Sequence, residues 1–217
     1  MRIISAILDL LFPPKCIFCS KILDNSEYWC DDCASSLILT ADGGKQAGEF
    51  YDFCVAPLYY TGAVRKSMLR FKFRGASAYA DAYGKILASC IREHIDVKYD
   101  IISWVPLSRQ RKRERGYDQA LLLAKATAAE LGIEAEETLI KSKDIMPQSE
   151  LKSKDERIEN ISGAFEAPDP ESIKDKCILL IDDIVTTGST LEECAKELTK
   201  NGAKKVICAA IARGSQS

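Results

Sequence analysis

Asp182 and Asp183 stand side by side at the end of an apolar run, Cys177 to Ile181, and a hydroxyl-rich bend, Thr186 to Thr190, follows within three residues. Paired carboxylates accept hydrogen bonds from neighbouring hydroxyls, as a ribose would offer, or touch a hard metal ion. A bend between the carboxyl end of a strand and the amino end of a helix presents unpaired N–H groups and the positive end of a helix dipole, a ready site for phosphate. Gly188 lets the backbone close on such a ligand, while Thr186, Thr187, Ser189 and Thr190 add donors. The helix is written in Leu191, Cys194, Ala195 and Leu198, spaced i, i+3, i+4, i+7, and it stops at Asn201-Gly202. The combination points to a phosphorylated sugar. Neither a G-x-x-x-x-G-K-[ST] loop nor the three-glycine dinucleotide fingerprint occurs.

A second set of charged residues lies upstream. Ile101 to Pro106 reads as a buried strand and runs into a basic loop, in which Arg109, Arg111, Lys112, Arg113 and Arg115 place five cations in seven residues. Open α/β sheets bind ligands just past their strand ends, so this run suits a polyphosphate. Arg109, Arg113 and Arg115 are the candidates for a pyrophosphate. Between Val64 and Gly75, Arg70, Lys72 and Arg74 interleave with Phe71 and Phe73. That stripe lines a phosphate cleft or, together with Arg111 and Lys112, a nucleic-acid strand.

A third set is Cys16-x2-Cys19-x10-Cys30-x2-Cys33. Each C-x-x-C turn aims two thiolates at one centre, and four close a tetrahedron about zinc. The spacing matches a zinc ribbon rather than a ferredoxin run, and a closed tetrathiolate is structural, not catalytic.

The elements that must position these groups follow from the rest of the chain. Its 217 residues, 47% hydrophobic and 29% charged, describe one globular domain with room for a small appendage. The net charge of −2 selects no partner, but residues 61–117 carry 13 Lys/Arg against 5 Asp/Glu, and 118–217 carry 13 against 19. A basic segment ahead of an acidic one suits a polyphosphate or nucleic-acid site. Met1 to Phe12 is apolar but carries Asp9, lacks a small-residue cleavage site and ends at Pro13-Pro14. Ile4, Ile7, Leu8 and Leu11 make it a short amphipathic helix, a membrane-surface anchor or a helix packed on the protein, and with only Arg2 and Lys15 as basic flanks packing is favoured. No apolar run approaches a membrane span, and a reducing compartment, the cytoplasm, makes the cysteine pairs metal ligands. Ala41 to Gly48 reads as a linker, placing a boundary between a module at 1–45 and a domain at 46–217. Phe53 to Tyr60 reads as a strand, Ser77 to His94 and Gln119 to Leu131 as helices, and Val206 to Ala212 as a last strand. His94, the only histidine, ends its helix as a dipole partner. The weakly patterned stretch from Lys141 to Phe165 reads as a lid or as disordered chain.

The run I-L-L-I-D-D-I-V-T-T-G-S-T resembles the phosphoribosyl-pyrophosphate (PRPP) binding motif of type I phosphoribosyltransferases. The whole chain resembles the ComF family of competence-associated proteins. That resemblance covers L-x-x-L-L-F-P-P-x-C-x-x-C, the second cysteine pair, M-L-R-F-K-F-R-G and V-P-L-S-R-Q-R-K-R-E-R-G-Y-D-Q-A. It continues through Gln148, Leu151, Arg157, Asn160 and G-A-F into the Asp-Asp loop. Asp118 stands where the family more often has Asn, and Lys141 where it tends to have Arg.

The resemblance implies an α/β fold of the type I phosphoribosyltransferase kind, a mostly parallel sheet flanked by helices, behind an amino-terminal zinc ribbon. It implies PRPP bound with Mg²⁺: Thr186, Thr187, Gly188, Ser189 and Thr190 on the 5-phosphate, Asp182 and Asp183 on the ribose hydroxyls. It also implies a role in natural transformation, on incoming single-stranded DNA and beside DNA-uptake proteins. Two other functions fit the same residues: a metabolic transferase passing ribose 5-phosphate to a nitrogenous base, and a non-enzymatic DNA-binding adaptor.

Overall fold

The computed structural model describes residues 13–24, 28–73, 77–143 and 161–214. In chain order the elements are α1 (Asp31–Ser36), β1 (Cys54–Val55), β2 (Leu58–Tyr59), α2 (Gly62–Phe73), α3 (Tyr79–His94), β3 (Ile101–Trp104), α4 (Arg109–Arg115), α5 (Gln119–Leu131), β4 (Ile140–Lys141), β5 (Phe165–Glu166), α6 (Pro170–Ile173), β6 (Cys177–Val185), α7 (Ser189–Lys200) and β7 (Lys205–Arg213). The amphipathic helix expected before Pro13 and most of the expected lid lie outside the described residues. Of the lid stretch, the two ends pair as the antiparallel ladder β4–β5.

The main sheet is all parallel, in the order β1-β7-β6-β3, with β2 also on β7. β6 and β7 are near-continuous apolar runs because both of their faces are covered. Leu179, Ile181, Ile207 and Ala209 face a cluster built by Met68 and Phe71 of α2, Tyr83 and Leu87 of α3 and Leu123 of α5. Ile178, Leu180, Cys208 and Ala210 face Leu191, Cys194 and Leu198 of α7. The i, i+3, i+4, i+7 stripe of α7 is therefore its buried face. Gly84 sets how closely α3 and α5 approach: a β-carbon there would stand 2.6 Å from that of Ala126. The single strand expected from Phe53 to Tyr60 is two, β1 and β2, interrupted at Ala56-Pro57, where proline has no N–H for the ladder.

The stretch from Ala41 to Gly48 is not a free linker. Thr40 bonds Pro57 and Ala56, the Ala56 amide donates to Gly43 O at 2.7 Å, and the Gln46 and Cys54 backbones bridge. A β-carbon on Gly43 would meet the His94 ring at 2.5 Å, so His94 serves as a packing partner at the end of α3.

Nor is the cysteine module a loose appendage. Cys16, Ile17, Phe18, Cys30 and Cys33 belong to the same buried cluster as Phe71 and Tyr83. Ser67 donates to Ile17 O, and the Arg70 guanidinium donates to Ile17 O at 2.6 Å and Phe18 O at 2.9 Å. The Phe18 and Tyr83 rings meet edge-on at 6.4 Å. The four cysteine sulfurs lie within 4.8 Å of one another, Cys19 and Cys30 at 3.7 Å. A zinc tetrahedron with bonds of about 2.3 Å has edges of about 3.8 Å, so the donor set fits. Because the Cys16–Cys19 turn is bonded to α2, losing zinc should reach the main core. Cys33→Ser is expected to bring zinc content well below one per chain by atomic absorption. It should also lower the melting temperature by about 10 °C, equivalent to roughly 3 kcal/mol for a chain of this size; an unchanged melt would contradict a structural role.

Candidate functional site

β6 carries both acids to the carboxyl end of the sheet. The pleat sends them to opposite faces: Asp183 follows Leu179 and Ile181 toward α2, and Asp182 follows Ile178 and Leu180 toward α7. Both nevertheless line one cleft of about 320 Å³, together with Lys72, Arg111, Arg115, Lys141, Thr186 and Thr190. Asp183 is paired with Lys72, Nζ to Oδ2 at 2.8 Å, with both side chains largely buried. By exposed area Asp182 is half-buried and Asp183 buried. Burial, and next the adjacent Asp183 carboxylate, raise the pKa of Asp182 from 3.8 to about 7, against the pull of Lys72.

The bend after β6 folds as its composition requires. Gly188 has φ of 80°, and a β-carbon on it would lie 2.9 Å from the Tyr51 hydroxyl. The Thr187 and Ser189 hydroxyls bond at 2.8 Å, and no side chain caps α7. Among the described residues, the Thr187 and Gly188 amides have no protein acceptor. A recess of about 30 Å³ lies against residues 184–191, bounded by Asp182. It is small enough to be filled by one oxyanion at the positive end of a twelve-residue helix.

The basic run is a helix, not a loop. Ser108 caps α4 by accepting from the Arg111 amide, and Gly116 closes it with φ of 80°. Its periodicity sorts the cations. Arg111 and Arg115, one turn apart, line the cleft, whereas Arg109 lines a different hollow and Arg113 is exposed and lines neither. Of the three pyrophosphate candidates only Arg115 reaches the acids, and Arg111, read as a nucleic-acid residue, takes the place expected of the others. The overlooked signal was the Ser108…Gly116 pair, a helix start and stop whose i, i+4 rule selects 111 and 115. Arg115 is positioned by Gln119 at 2.7 Å and lies over the Phe73 ring at 4.9 Å. Asp118 does not reach for a ligand: it caps α5, accepting from the Leu121 and Leu107 amides at 3.1 Å each. Lys141 lines the cleft beside Ile161, its Nζ 5.1 Å from the Phe165 ring.

The stripe on α2 is divided: Phe73 is exposed, whereas Phe71, Arg70 and Lys72 are engaged within the protein. Phe71 is fully buried against Tyr83 and Tyr117 and offers no ring for stacking. The Arg70 guanidinium is held by the cysteine module, and Lys72 faces Asp183. These three sit where a helix turns them inward or sideways, which an extended reading of the run does not foresee. Arg74 lies outside the described residues. Lys112 is exposed on α4.

Comparison with known proteins gives the family. A phosphoribosyl transferase domain matches residues 118–217, and a double zinc ribbon domain matches 7–49. Competence protein ComFC of Bacillus subtilis is 31% identical over 143 residues, 66% of this chain and 56% of that protein. Competence protein F of Haemophilus influenzae is 30% identical over 207 residues, 91% of this chain and 90% of its own length. The DNA utilization protein YhgH of Escherichia coli K12 is 31% identical over 107 residues, 49% of this chain and 46% of that protein. Among solved structures, the allosteric regulatory enzyme of purine biosynthesis aligns with a TM-score of 0.45 and 19% identity, covering 65% of this chain and 29% of that one. No helix among the described residues is long and apolar enough to cross a membrane. The chain belongs to the ComF family of competence proteins, a phosphoribosyltransferase-type parallel sheet joined to an amino-terminal zinc ribbon.

Proposed function

We propose that the chain binds PRPP with Mg²⁺ in the cleft at the carboxyl end of β6 and acts, in the cytoplasm, on incoming single-stranded DNA alongside DNA-uptake proteins. The observation that supports the reading is that Asp182, Asp183, Thr186, Thr190, Arg111 and Arg115 line one cleft, and that the recess of the Thr187–Ser189 bend adjoins it through Asp182, Thr186 and Thr190. The 5-phosphate takes the amides and hydroxyls from Thr187 to Thr190, where the helix dipole favours an anion. The ribose hydroxyls donate to Asp182 and Asp183. Arg111 and Arg115 hold the pyrophosphate, Arg115 with its guanidinium fixed by Gln119 and Phe73. Mg²⁺ suits the oxygen-only donor set of the two carboxylates and would neutralise the pyrophosphate as it leaves.

In such a transfer the bond from C1 to the pyrophosphate oxygen breaks, a bond from C1 to a nitrogen nucleophile forms, and the proton that the nitrogen sheds goes to water. The leaving group keeps the electron pair. The lone histidine lies in a different hollow, beside Trp29 and Gly43. Arg111 and Arg115 stabilise the leaving charge. The names of the relatives, competence and DNA utilization proteins, support DNA as the setting. Calorimetric titration with PRPP tests the reading: binding at micromolar concentration that strengthens with Mg²⁺ is expected, and no heat at millimolar PRPP with Mg²⁺ would refute it.

A further inference from the structure

Helix α4 divides its cations between two cavities. Arg111 and Arg115 line the cleft of the paired acids, while Arg109 and Lys112, three residues apart, line a second hollow of about 550 Å³. The two spaces adjoin, since Pro106, Leu107 and Lys141 line both. The hollow has an apolar wall of Trp104, Leu121 and Ile140; Glu137 and the amide-bonded Asp118 add carboxylates, and Ser142 a hydroxyl. Its shared wall is held in place, because the Leu107 amide donates to Asp118, itself fixed as the cap of α5.

A bare phosphate has no use for that wall, and a purely apolar ligand has no use for two cations. One chemistry uses all of it: a nucleotide, with the flat base against the apolar wall and the phosphate on Arg109 and Lys112. We infer that the hollow between β3, α4, α5 and β4 is a nucleotide site adjoining the phosphosugar cleft, with α4 as the partition. For its consequence, transfer between two ligands held side by side, the inference rests on the PRPP reading of the neighbouring cleft; for nucleotide binding itself it does not. A free nucleotide and a nucleotide unit of a DNA strand present the same chemistry, and the experiment separates them.

The probes are dTMP and 5′-phosphorylated oligo(dT), titrated into the full chain. Arg109→Glu with Lys112→Glu, both at exposed positions, should weaken both probes by at least about tenfold and leave PRPP affinity within about threefold. Leu121→Trp fills the hollow with its cations intact and should weaken dTMP by about tenfold or more. That result separates binding in the hollow from general attraction to positive charge. If Leu121→Trp melts early, the charge reversal alone decides. Oligo(dT) binding at least about tenfold tighter than dTMP identifies a strand, and equal affinity identifies the free nucleotide. Failure of the wild type to bind either probe, or wild-type affinity in the charge-reversed variant, would overturn the inference. Loss of PRPP binding with nucleotide binding retained in the wild type would sink only the reading of the cleft.

Discussion

Asparagine at both Asp182 and Asp183 should weaken PRPP binding by at least about a hundredfold, because each ionised acceptor of a ribose hydroxyl contributes about 1.5–3 kcal/mol. The two positions should not behave alike. Asp183 is neutralised by Lys72 at 2.8 Å, so Asp183→Asn releases a cation into a cleft that takes an anion. Part of its loss is offset. Asp182, with a pKa of about 7, is mostly protonated at pH 6 and mostly ionised at pH 8. Wild-type affinity should therefore rise across that range, and the penalty of Asp182→Asn should be larger at pH 8 than at pH 6. Titrations at the two pH values check this; a double variant with unchanged affinity would remove the acids from the site.

The second large effect is on the free protein. An acid whose pKa stands at about 7 folded, against 3.8 ordinarily, keeps its proton in the native state through a window in which the unfolded chain has lost it. The native state then binds more protons, so this group's contribution to stability falls as pH rises from about 4 to about 7. That difference corresponds to at most a few kcal/mol, reduced to the extent that the half-buried carboxyl keeps its water. Asp182→Asn should accordingly raise the melting temperature at pH 8 by about 5–15 °C over wild type, and the gain should vanish near pH 4. Equal melting curves at pH 8 would mean that the carboxylate is not strained. A bound dication or ribose hydroxyls would relieve that strain, so ligand should stabilise the wild type more than the variant.

The sheet and the acid loop were legible because each rests on local rules. Cys177 to Ile181 is a strand buried on both faces, and the stripe Leu191, Cys194, Ala195, Leu198 is a helix face. The four thiols were equally plain, since two C-x-x-C turns on a short spacer admit few arrangements. What stayed hidden was the direction of side chains in the basic segments. Composition gives Arg109, Arg113 and Arg115 equal standing; only the helical register of α4 separates Arg115 and Arg111 from the rest. Phe71 looked available because it is flanked by cations, yet it fills the seam between α2 and α3. Arg70 is held by carbonyls more than fifty residues earlier in the chain, a contact no local pattern encodes. Ala41 to Gly48 looked like a linker by composition, but its glycines permit close contact with His94 and with the edge strand.

Diffraction from crystals soaked with PRPP and Mg²⁺ bears most directly on the central claim. Density is expected for the 5-phosphate against the amides of Thr187 to Thr190, the ribose between Asp182 and Asp183, and the pyrophosphate at Arg111 and Arg115. Density confined to the hollow beside Trp104, or an empty bend at saturating ligand, would contradict the claim.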